Sequence, residues 1–354
     1  MINSLQSLRG IFAVMIFLSH FTINPDSGER AFYPGGTMGV EFFIMLSGFV
    51  MCAGYEKIVE HRCISYRNFM LRRLIRLFPI HLLCLILWMV VFNNFHFGGG
   101  LIANILMIQA WVPLVGVFYG YNTPSWCLGV FMFLYAVFPV LIGFYYRNAR
   151  RATVVLGAYV ILFVGYIIAL PTSDEIMELW LSRILPPVRL VDFALGMALW
   201  QIYRTIKTHH LVDRFRDTPF IVKTAVELTL IAVYALGAYI SVDVSAKWSS
   251  ELLWWLPTIL AIMLFGLTAE KGGAIGRLLE WKPLVIFGNA SFCFYLLHIP
   301  VIGAVGRFRN HFDVHPAPMI MLVITLVAGV IAALVVNRFI DQPTGRCLRK
   351  LLKV

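Results

Sequence analysis

The sequence predicts an all-α integral membrane protein with about ten transmembrane helices, one re-entrant or interfacial hairpin, and both termini in the cytoplasm. Of the 354 residues, 60% are apolar and only 13% are charged, so the chain cannot present an ordinary water-facing surface. Its mean hydropathy is +0.81, and several apolar runs reach the ~20 residues that cross a bilayer. The polar connections are too short for a soluble domain, so residues 1–354 are predicted to form one transmembrane domain.

Eleven apolar runs follow one another along the chain. They cover residues 5–23, 38–55, 77–97, 101–117, 126–146, 152–170, 186–204, 220–241, 252–268, 283–305 and 317–337. The first run resembles a signal peptide because a charge precedes the apolar residues, but no small-residue cleavage pattern follows before Pro25. We therefore interpret it as a retained span.

Basic residues in the short connections set the predicted orientation. The net charge of +11 does not indicate nucleic-acid binding, since the cations flank apolar runs, as the positive-inside bias describes. Residues 56–76 are therefore predicted to be cytoplasmic, as are the basic clusters within 147–151, 204–216, 271–282 and 338–350. The first of these connections contains Lys57, Arg62, Arg67, Arg72, Arg73 and Arg76.

Charge alternation leaves one of the eleven runs unable to cross. A chain that leaves the cytoplasm along 77–97 and returns before Arg147 has room for only one further span, although two apolar runs lie in between. The run 101–117 is short, follows three glycines and precedes a turn-rich stretch that ends at Pro124. It is predicted to be the hairpin that does not cross.

Cysteine spacing gives no indication of a metal site or of a disulfide framework. The six cysteines form no C-x-x-C pair and lie mostly inside apolar runs, so we interpret them as packing residues. They are Cys52, Cys63, Cys84, Cys127, Cys293 and Cys347.

Polar side chains from separate spans are predicted to converge near the outer leaflet. Arg9 and His20 share one face of the first helix about 16 Å apart, because eleven residues make about three turns. The rise per residue along each span gives the depth of each polar residue in the bilayer. By this count His20 lies at about the same depth as polar residues of other spans. The group predicted to converge comprises His20, Glu41, Arg189, Asp192 and His298, and Trp126 opens another span on the same side.

Ionisable residues inside a bilayer are energetically expensive and often mark a functional site, although buried ion pairs and interfacial caps are the alternative explanation. We expect Glu41 to pair with His20. A carboxylate bonded to one ring nitrogen fixes the tautomer and leaves the other nitrogen as a base for a hydroxyl.

A cluster of arginines precedes the third span at the predicted cytoplasmic face. Arg72, Arg73 and Arg76 lie within about one helical turn of each other, which concentrates positive charge. Such a cluster can bind the phosphates of a nucleotide-like ligand through bidentate guanidinium contacts. The positive-inside bias and lipid-headgroup binding explain the same spacing, and on spacing alone they are favoured.

Taken together, the motifs of this chain resemble those of the acyltransferase family 3 of membrane proteins, which O-acylate surface polysaccharides and some small molecules. The resemblance covers nearly the whole chain. It rests on Ser7-Leu-Arg-Gly10 leading to Ser19-His20, Gly39-Val-Glu-Phe-Phe-Ile-Met-Leu-Ser-Gly-Phe49, Arg73-Leu-Ile-Arg-Leu-Phe-Pro79, Pro124-Ser-Trp126 continuing to Tyr135 and Pro139, Arg189-Leu-Val-Asp-Phe-Ala-Leu-Gly196, and Ser291-Phe-Cys-Phe-Tyr-Leu-Leu-His-Ile-Pro300.

The resemblance implies an acyl-CoA donor, usually acetyl-CoA, that approaches from the cytoplasm, and an acceptor hydroxyl presented from the outer side. It implies that His20 and Arg9 are essential and that Arg73 and Arg76 contribute to the donor site. One position departs from the family, which commonly has an acidic residue after the tryptophan, whereas this chain has only apolar residues such as Phe131 there.

We therefore expect an O-acetyltransferase of the bacterial inner membrane that acts on a surface polysaccharide, such as lipopolysaccharide, or on its lipid-linked precursor. His20, oriented by Glu41, would act as a base or be acylated itself, and the sequence leaves both open. Arg9 and the arginine cluster would hold acetyl-CoA, and Trp126, Arg189, Asp192 and His298 would bind the acceptor or stabilise the oxyanion.

The expected partners are membrane lipid, acyl-CoA and a glycan acceptor, without nucleic acid or metal. A transporter or flippase with an intramembrane Arg, His and Glu pathway is the first alternative. A catalytically silent family member is the second, and Phe131 gives it some weight.

Overall fold

The computed structural model is almost entirely helical and describes residues 2–24, 27–60, 65–170, 174–208, 213, 217–243, 252–269, 271–314 and 316–353. The helices are α1 (Asn3–His20), α2 (Gly35–Glu60), α3 (Tyr66–Phe92), α4 (Gly99–Ile105), α5 (Val115–Phe118), α6 (Trp126–Arg147), α7 (Ala149–Ala169), α8 (Glu175–Leu179), α9 (Leu190–Thr208), α10 (Phe220–Asp243), α11 (Leu252–Leu267), α12 (Ala274–Leu279), α13 (Lys282–His311), α14 (Pro318–Val336) and α15 (Gln342–Leu352).

Seven helical segments in the described ranges are long and apolar enough to cross a membrane, so the chain is a multi-pass membrane protein. These segments lie at 35–55, 66–92, 123–147, 150–169, 220–241, 282–311 and 318–352. Helices α1, α9 and α11 coincide with the three other predicted spans. The number of crossings and the cytoplasmic placement of both termini stay predictions.

Helix α1 lies at the centre of the bundle, packed against α13 and α2, and α2 in turn packs along α9. Glycines permit these close approaches. A Cβ on Gly288 would collide with the backbone carbonyl of Gln6, and one on Gly48 would collide with the carbonyl of Phe193. Small residues at helix contacts allow the two backbones to approach closely.

The segment predicted to be a non-crossing hairpin is broken into three short helical pieces. These are α4, a 3₁₀ turn at Gln109–Trp111 and α5, which have 7, 3 and 4 residues. At 1.5 Å per residue, none of them spans a bilayer. Buried polar groups hold the segment in place, since the Asn104 carbonyl contacts His81 and the Asn104 side-chain carbonyl accepts from Ser125.

A small β-hairpin follows α1 directly. Strands β1 (Thr22–Asn24) and β2 (Glu29–Arg30) pair antiparallel, and α1 ends at His20, three residues before the predicted end of the span. Nη1 of Arg30 donates to the carbonyl oxygen of Ser19 at 2.8 Å. This contact satisfies a carbonyl that the helix end leaves without an intrahelical partner.

The connection between α11 and α13 is anchored by the buried carboxylate of Glu227 in α10. Its two oxygens accept from the backbone amides of Gly273 and Ile275 at 2.8 and 2.9 Å. The hydroxyl of Ser7 in α1 donates to the carbonyl of Leu279, which ties the same connection to the central helix.

Some residues used in the sequence argument lie outside the described part of the chain. They are Pro25, Arg62 and Cys63, together with Arg214 and Arg216 of the basic cluster within 204–216. The five cysteines that the structure describes are free thiols, and four of them are buried while Cys347 is exposed.

Candidate active site

Two histidines from opposite ends of the chain meet at the C-terminal end of α1. His20 is the last residue of α1, and His298 lies in the middle of α13. Nε2 of His298 is 3.3 Å from Nδ1 of His20, and the ring centroids are 5.0 Å apart. His298 is fully buried, whereas His20 is partly exposed, so an incoming molecule can reach the ring of His20.

Backbone carbonyls determine which ring nitrogens carry protons. Nδ1 of His298 lies 2.7 Å from the carbonyl oxygen of Tyr295, so this nitrogen donates and Nε2 is left as an acceptor. Nδ1 of His20 lies 2.9 Å from the carbonyl oxygen of Ile16 and also faces Nε2 of His298. Because both of these atoms are acceptors, Nδ1 of His20 donates. Nε2 of His20 is therefore the nitrogen with the available lone pair, which makes it the basic atom.

The prediction that Glu41 pairs with His20 is wrong, because Glu41 pairs with Arg189. Nη1 of Arg189 donates to Oε1 of Glu41 at 2.6 Å, and both side chains are buried. A guanidinium offers the carboxylate a full opposite charge and a directed donor, which a neutral imidazole does not. The contacts that orient His20 come instead from His298 and the Ile16 carbonyl.

Arg189 is the centre of a buried ionic network that joins three parts of the fold. Its Nη1 also contacts Oδ2 of Asp192 at 3.2 Å, and its Nε donates to the carbonyl of Arg183. Oδ1 of Asp192 accepts from the indole of Trp255 in α11 at 2.8 Å. These contacts pair the buried charges with each other, so structural pairing is sufficient to explain their burial. The acceptor-binding role of Arg189 and Asp192 stays a prediction.

A cavity of about 270 Å³ lies between α1, α2, α3 and α6 and brings together three of the predicted donor-binding arginines. Arg9, Arg73 and Arg76 all line it, and no carboxylate does within the described chain. We call it the first cavity. Its remaining lining residues are Val40, Phe43, Leu46, Ser47, Val50, Met51, Gly54, Tyr55, Leu77, Cys127, Leu128, Phe131, Tyr135, Phe292 and Tyr295.

Arg73 and Arg72 are neighbours in sequence, but the structure separates them. The guanidinium of Arg73 lies 5.3 to 5.4 Å from the ring centroids of Tyr55, Phe69 and Tyr135, and its Nη2 donates to the Tyr55 hydroxyl at 3.0 Å. The aromatic faces hold the cation at the wall of the first cavity. Arg72 is exposed and is not among the residues that line this cavity.

Tyr295 connects the first cavity to the histidine pair. Its side chain lines the cavity, while its carbonyl oxygen accepts from Nδ1 of His298. The Tyr295 hydroxyl donates to the carbonyl of Pro124 at 2.8 Å, at the turn that begins α6. One residue of α13 thus links the cavity that the three arginines line to the histidine pair.

Two further sequence candidates lie on α6. Trp126 is buried at the first residue of this helix and is not among the residues that line the first cavity, so its acceptor-binding role stays a prediction. Phe131 does line the cavity, and its ring stacks against Tyr135 with the centroids 5.8 Å apart. At the position where the family commonly has an acid, this chain thus has an aromatic wall.

Several residues that complete the site have no predicted role from the sequence. Tyr55 and Tyr135 position Arg73, and Tyr295 positions His298. Arg30 holds the end of α1 beside His20. Tyr295 could have been found, since it is three residues before His298 and therefore on the same helical face. Tyr55 and Tyr135 give no such signal, because their proximity to Arg73 depends on the packing of three helices.

The described residues include no group of three His, Cys, Asp or Glu side chains placed to hold a metal ion. A histidine pair that Tyr295 links to a cavity lined by arginines is an arrangement suited to transfer of a group from an anionic donor. A model of the acyltransferase domain family matches residues 2–338, so the chain belongs to this family and is an acyltransferase.

Two curated relatives illustrate the range of the family. The chain is 28% identical to "Acyltransferase MdmB" of Streptomyces mycarofaciens over 97% of this chain and 92% of that protein. It is 20% identical to the O-acetyltransferase OatA of Staphylococcus aureus (strain NCTC 8325 / PS 47), over 96% of this chain and 56% of that protein. The chain thus spans only about half the length of OatA. No solved structure matches it.

Proposed function

We propose that this protein is an O-acetyltransferase of the bacterial inner membrane that moves an acetyl group from cytoplasmic acetyl-CoA to a hydroxyl of a surface glycan or its lipid-linked precursor. The observation that carries the proposal is the continuity from the three arginines of the first cavity, through Tyr295, to the His298 and His20 pair. The name of the relative OatA, an O-acetyltransferase, supports the choice of acyl group.

The first cavity supplies the charge that the donor requires. The diphosphate of CoA is anionic, and Arg9, Arg73 and Arg76 offer planar donors in a cavity without an opposing carboxylate among the described lining residues. The apolar wall formed by Val40, Phe43 and other residues suits the pantetheine arm. The thioester would then reach the level of Tyr295.

His20 would act as the general base through Nε2. This nitrogen takes the proton of the acceptor hydroxyl while the hydroxyl oxygen attacks the thioester carbonyl carbon. The tetrahedral intermediate collapses with loss of the CoA thiolate, which takes the proton back from Nε2, so the products are the acetyl ester and CoA with a free thiol. His298 holds the imidazole so that Nε2 faces the acceptor.

The acceptor would approach from the outer side. His20 is partly exposed at the end of α1, beside the β-hairpin that Arg30 fastens to the helix. A hydroxyl that reaches Nε2 from this side meets a donor that enters from the opposite face. A glycan or a lipid-linked glycan fits this requirement, because such molecules present hydroxyls at the membrane surface.

The proposal is tested with purified protein in proteoliposomes, using isotopically labelled acetyl-CoA and a cell-envelope glycan fraction. Wild-type protein is expected to transfer label to the glycan and to increase its mass by that of an acetyl group. His20→Ala should abolish transfer, and His311→Ala is the matched control because His311 is exposed at the end of α13.

The outcomes separate the proposal from its alternatives. Full transfer by folded His20→Ala would contradict the proposed base. Movement of glycan across the bilayer without any acetylated product would identify a transporter or flippase, and the absence of both activities would favour a catalytically silent family member.

A further inference from the structure

A second cavity of about 450 Å³ lies on the other side of α2 and is not used by the mechanism above. Its walls come from the beginning of α1, the second half of α2 and the end of α9. The lining residues are Ile2, Leu5, Gln6, Leu46, Phe49, Val50, Ala53, Trp200, Tyr203, Arg204, Lys207 and Thr208. This cavity combines an aromatic wall with a basic rim.

The aromatic wall is formed by Phe49, Trp200 and Tyr203. The rings of Trp200 and Tyr203 are stacked with centroids 5.3 Å apart, and Phe49 packs edge-on against both. Aromatic faces at a cavity wall can stack on a heterocyclic base. Nε1 of Trp200 is buried and has no hydrogen-bond partner within the described chain, so it can donate to an acceptor atom of such a base.

The rim carries Arg204 and Lys207, which are exposed one helical turn apart on α9. Nζ of Lys207 lies 5.8 Å from the centroid of the Tyr203 ring, so this cation is adjacent to the aromatic wall. No carboxylate lines this cavity in the part of the chain that the structure describes. An aromatic base with a phosphate attached therefore matches the cavity better than an uncharged molecule does.

The two cavities share a wall. Leu46 and Val50 line both of them, and the neighbouring exposed residues Ala53 and Gly54 line one each. On α1, Gln6 of the second cavity accepts a hydrogen bond of 3.2 Å from Arg9 of the first. The two cavities are therefore separated by a ridge of α2, formed by Leu46 and Val50, and by the Arg9–Gln6 hydrogen bond.

We infer that the second cavity binds the adenosine 3′-phosphate end of the CoA donor, while the diphosphate and the pantetheine arm occupy the first cavity. The inference rests on the proposed function. At about 270 Å³, the first cavity is smaller than the ~300–1,000 Å³ pockets that enclose drug-sized ligands, so it cannot hold the whole of CoA. A donor that passes around Val50 meets three arginines at its diphosphate and Lys207 at its 3′-phosphate.

The test compares the affinities of CoA and dephospho-CoA, which lacks the 3′-phosphate, for the full protein in nanodiscs by calorimetry. Wild-type protein is expected to prefer CoA by about tenfold, the value of one charge-assisted hydrogen bond to a phosphate. Lys207→Ala should remove most of this preference, because it should lower the affinity for CoA and leave the affinity for dephospho-CoA unchanged. The matched control is Lys282→Ala, since Lys282 is exposed at the start of α13 and lines neither cavity.

A second variant tests the shared wall. Ala53→Trp places a large side chain in the second cavity, beside the ridge that CoA would cross, and Ala53 does not line the first cavity, so transfer from acetyl-CoA should fall about tenfold. Transfer from S-acetylpantetheine, which would occupy only the first cavity, should not change. An equal loss with both donors would overturn the inference, because the second cavity would then contribute nothing that is specific to the CoA donor.

The failure of this inference is distinguishable from that of the proposed function. If Lys207→Ala keeps the preference for CoA while acetyl transfer proceeds, the inference is overturned and the proposed function stands. Release of a copurified anionic phospholipid by Lys207→Ala, with that preference intact, would identify a lipid site instead. If wild-type protein neither binds CoA nor transfers acetyl groups, the proposed function itself fails.

Discussion

Nε2 of His298 lies 3.3 Å from Nδ1 of His20, across 278 residues of sequence. The Tyr295 carbonyl fixes the proton of His298 on Nδ1, and His298 in turn accepts from His20. The pair therefore has a direction, from a backbone carbonyl through two imidazoles to a single basic nitrogen. In many histidine sites a carboxylate performs this orienting task, whereas here a second buried histidine does so without adding a charge.

Replacement of His298 is expected to lower the rate of transfer without weakening donor binding. His298→Ala removes the acceptor that orients His20, so kcat should fall at least about tenfold, the equivalent of one hydrogen bond. KM for acetyl-CoA should not change, because His298 does not line the first cavity. Steady-state kinetics of the purified variant provide the measurement.

The conservative variant distinguishes positioning from packing. His298→Gln keeps a carbonyl oxygen that can accept from His20, so it should recover part of the lost kcat. A variant that folds normally but loses as much kcat with Gln as with Ala would show that His298 does not act by orienting its neighbour.

Arg73 and Arg72 provide a matched pair for the donor site. Arg73→Ala should raise KM for acetyl-CoA about tenfold, since it removes a cation held at the cavity wall by three aromatic rings. Arg72→Ala should change KM by less than about twofold, because exposed charges contribute little. Competition by CoA in the transfer assay measures both. Equal effects of the two substitutions would assign the arginines to membrane orientation instead.

The helices were predictable from sequence, because a bilayer imposes a length and a polarity on each span. The broken segment around 101–117 was predictable for the same reason, since charge alternation left it no place to cross. The partners of individual side chains were not. Arg9, Arg73 and Arg76 were grouped at the predicted cytoplasmic side, and all three line the first cavity, while their role in donor binding stays a prediction.

Glu41 shows why the pairing could not be derived from depth alone. Residues at one level of a bundle can face in different directions, and the choice depends on helix rotation and crossing. Here Gly48 lets α2 approach α9 at the Phe193 carbonyl, and this contact brings Glu41 to Arg189 rather than to His20. Gly48 on α2 and Gly196 on α9 permit the close contact, but small residues alone do not determine how the helices are rotated.

Arg189 is predicted to be more important for stability than for catalysis. Arg189→Met leaves Glu41 and Asp192 buried without their guanidinium, which should lower the free energy of unfolding by about 3–5 kcal/mol. The double variant Arg189→Met/Glu41→Gln should recover part of this loss, since it removes one of the two buried charges. Thermal unfolding in detergent measures the change, and Glu175→Ala, at an exposed carboxylate, is the control. A Glu41→Gln variant with normal stability and no transfer would return Glu41 to the catalytic role that the sequence first assigned to it.

Glu227 is predicted to hold the connection before α13 in register with α1. Glu227→Ala leaves the amides of Gly273 and Ile275 without their carboxylate and should lower the free energy of unfolding by about 3–6 kcal/mol, the value of two charge-assisted hydrogen bonds. Glu227→Gln keeps one carbonyl acceptor, so its loss should be about half as large. Hydrogen exchange of the segment 271–281 reports the effect locally, and the amides of this segment should exchange faster while those of α6 remain protected. An equal increase in the exchange rate of segment 271–281 and of α6 would show that Glu227 stabilises the bundle as a whole rather than this connection.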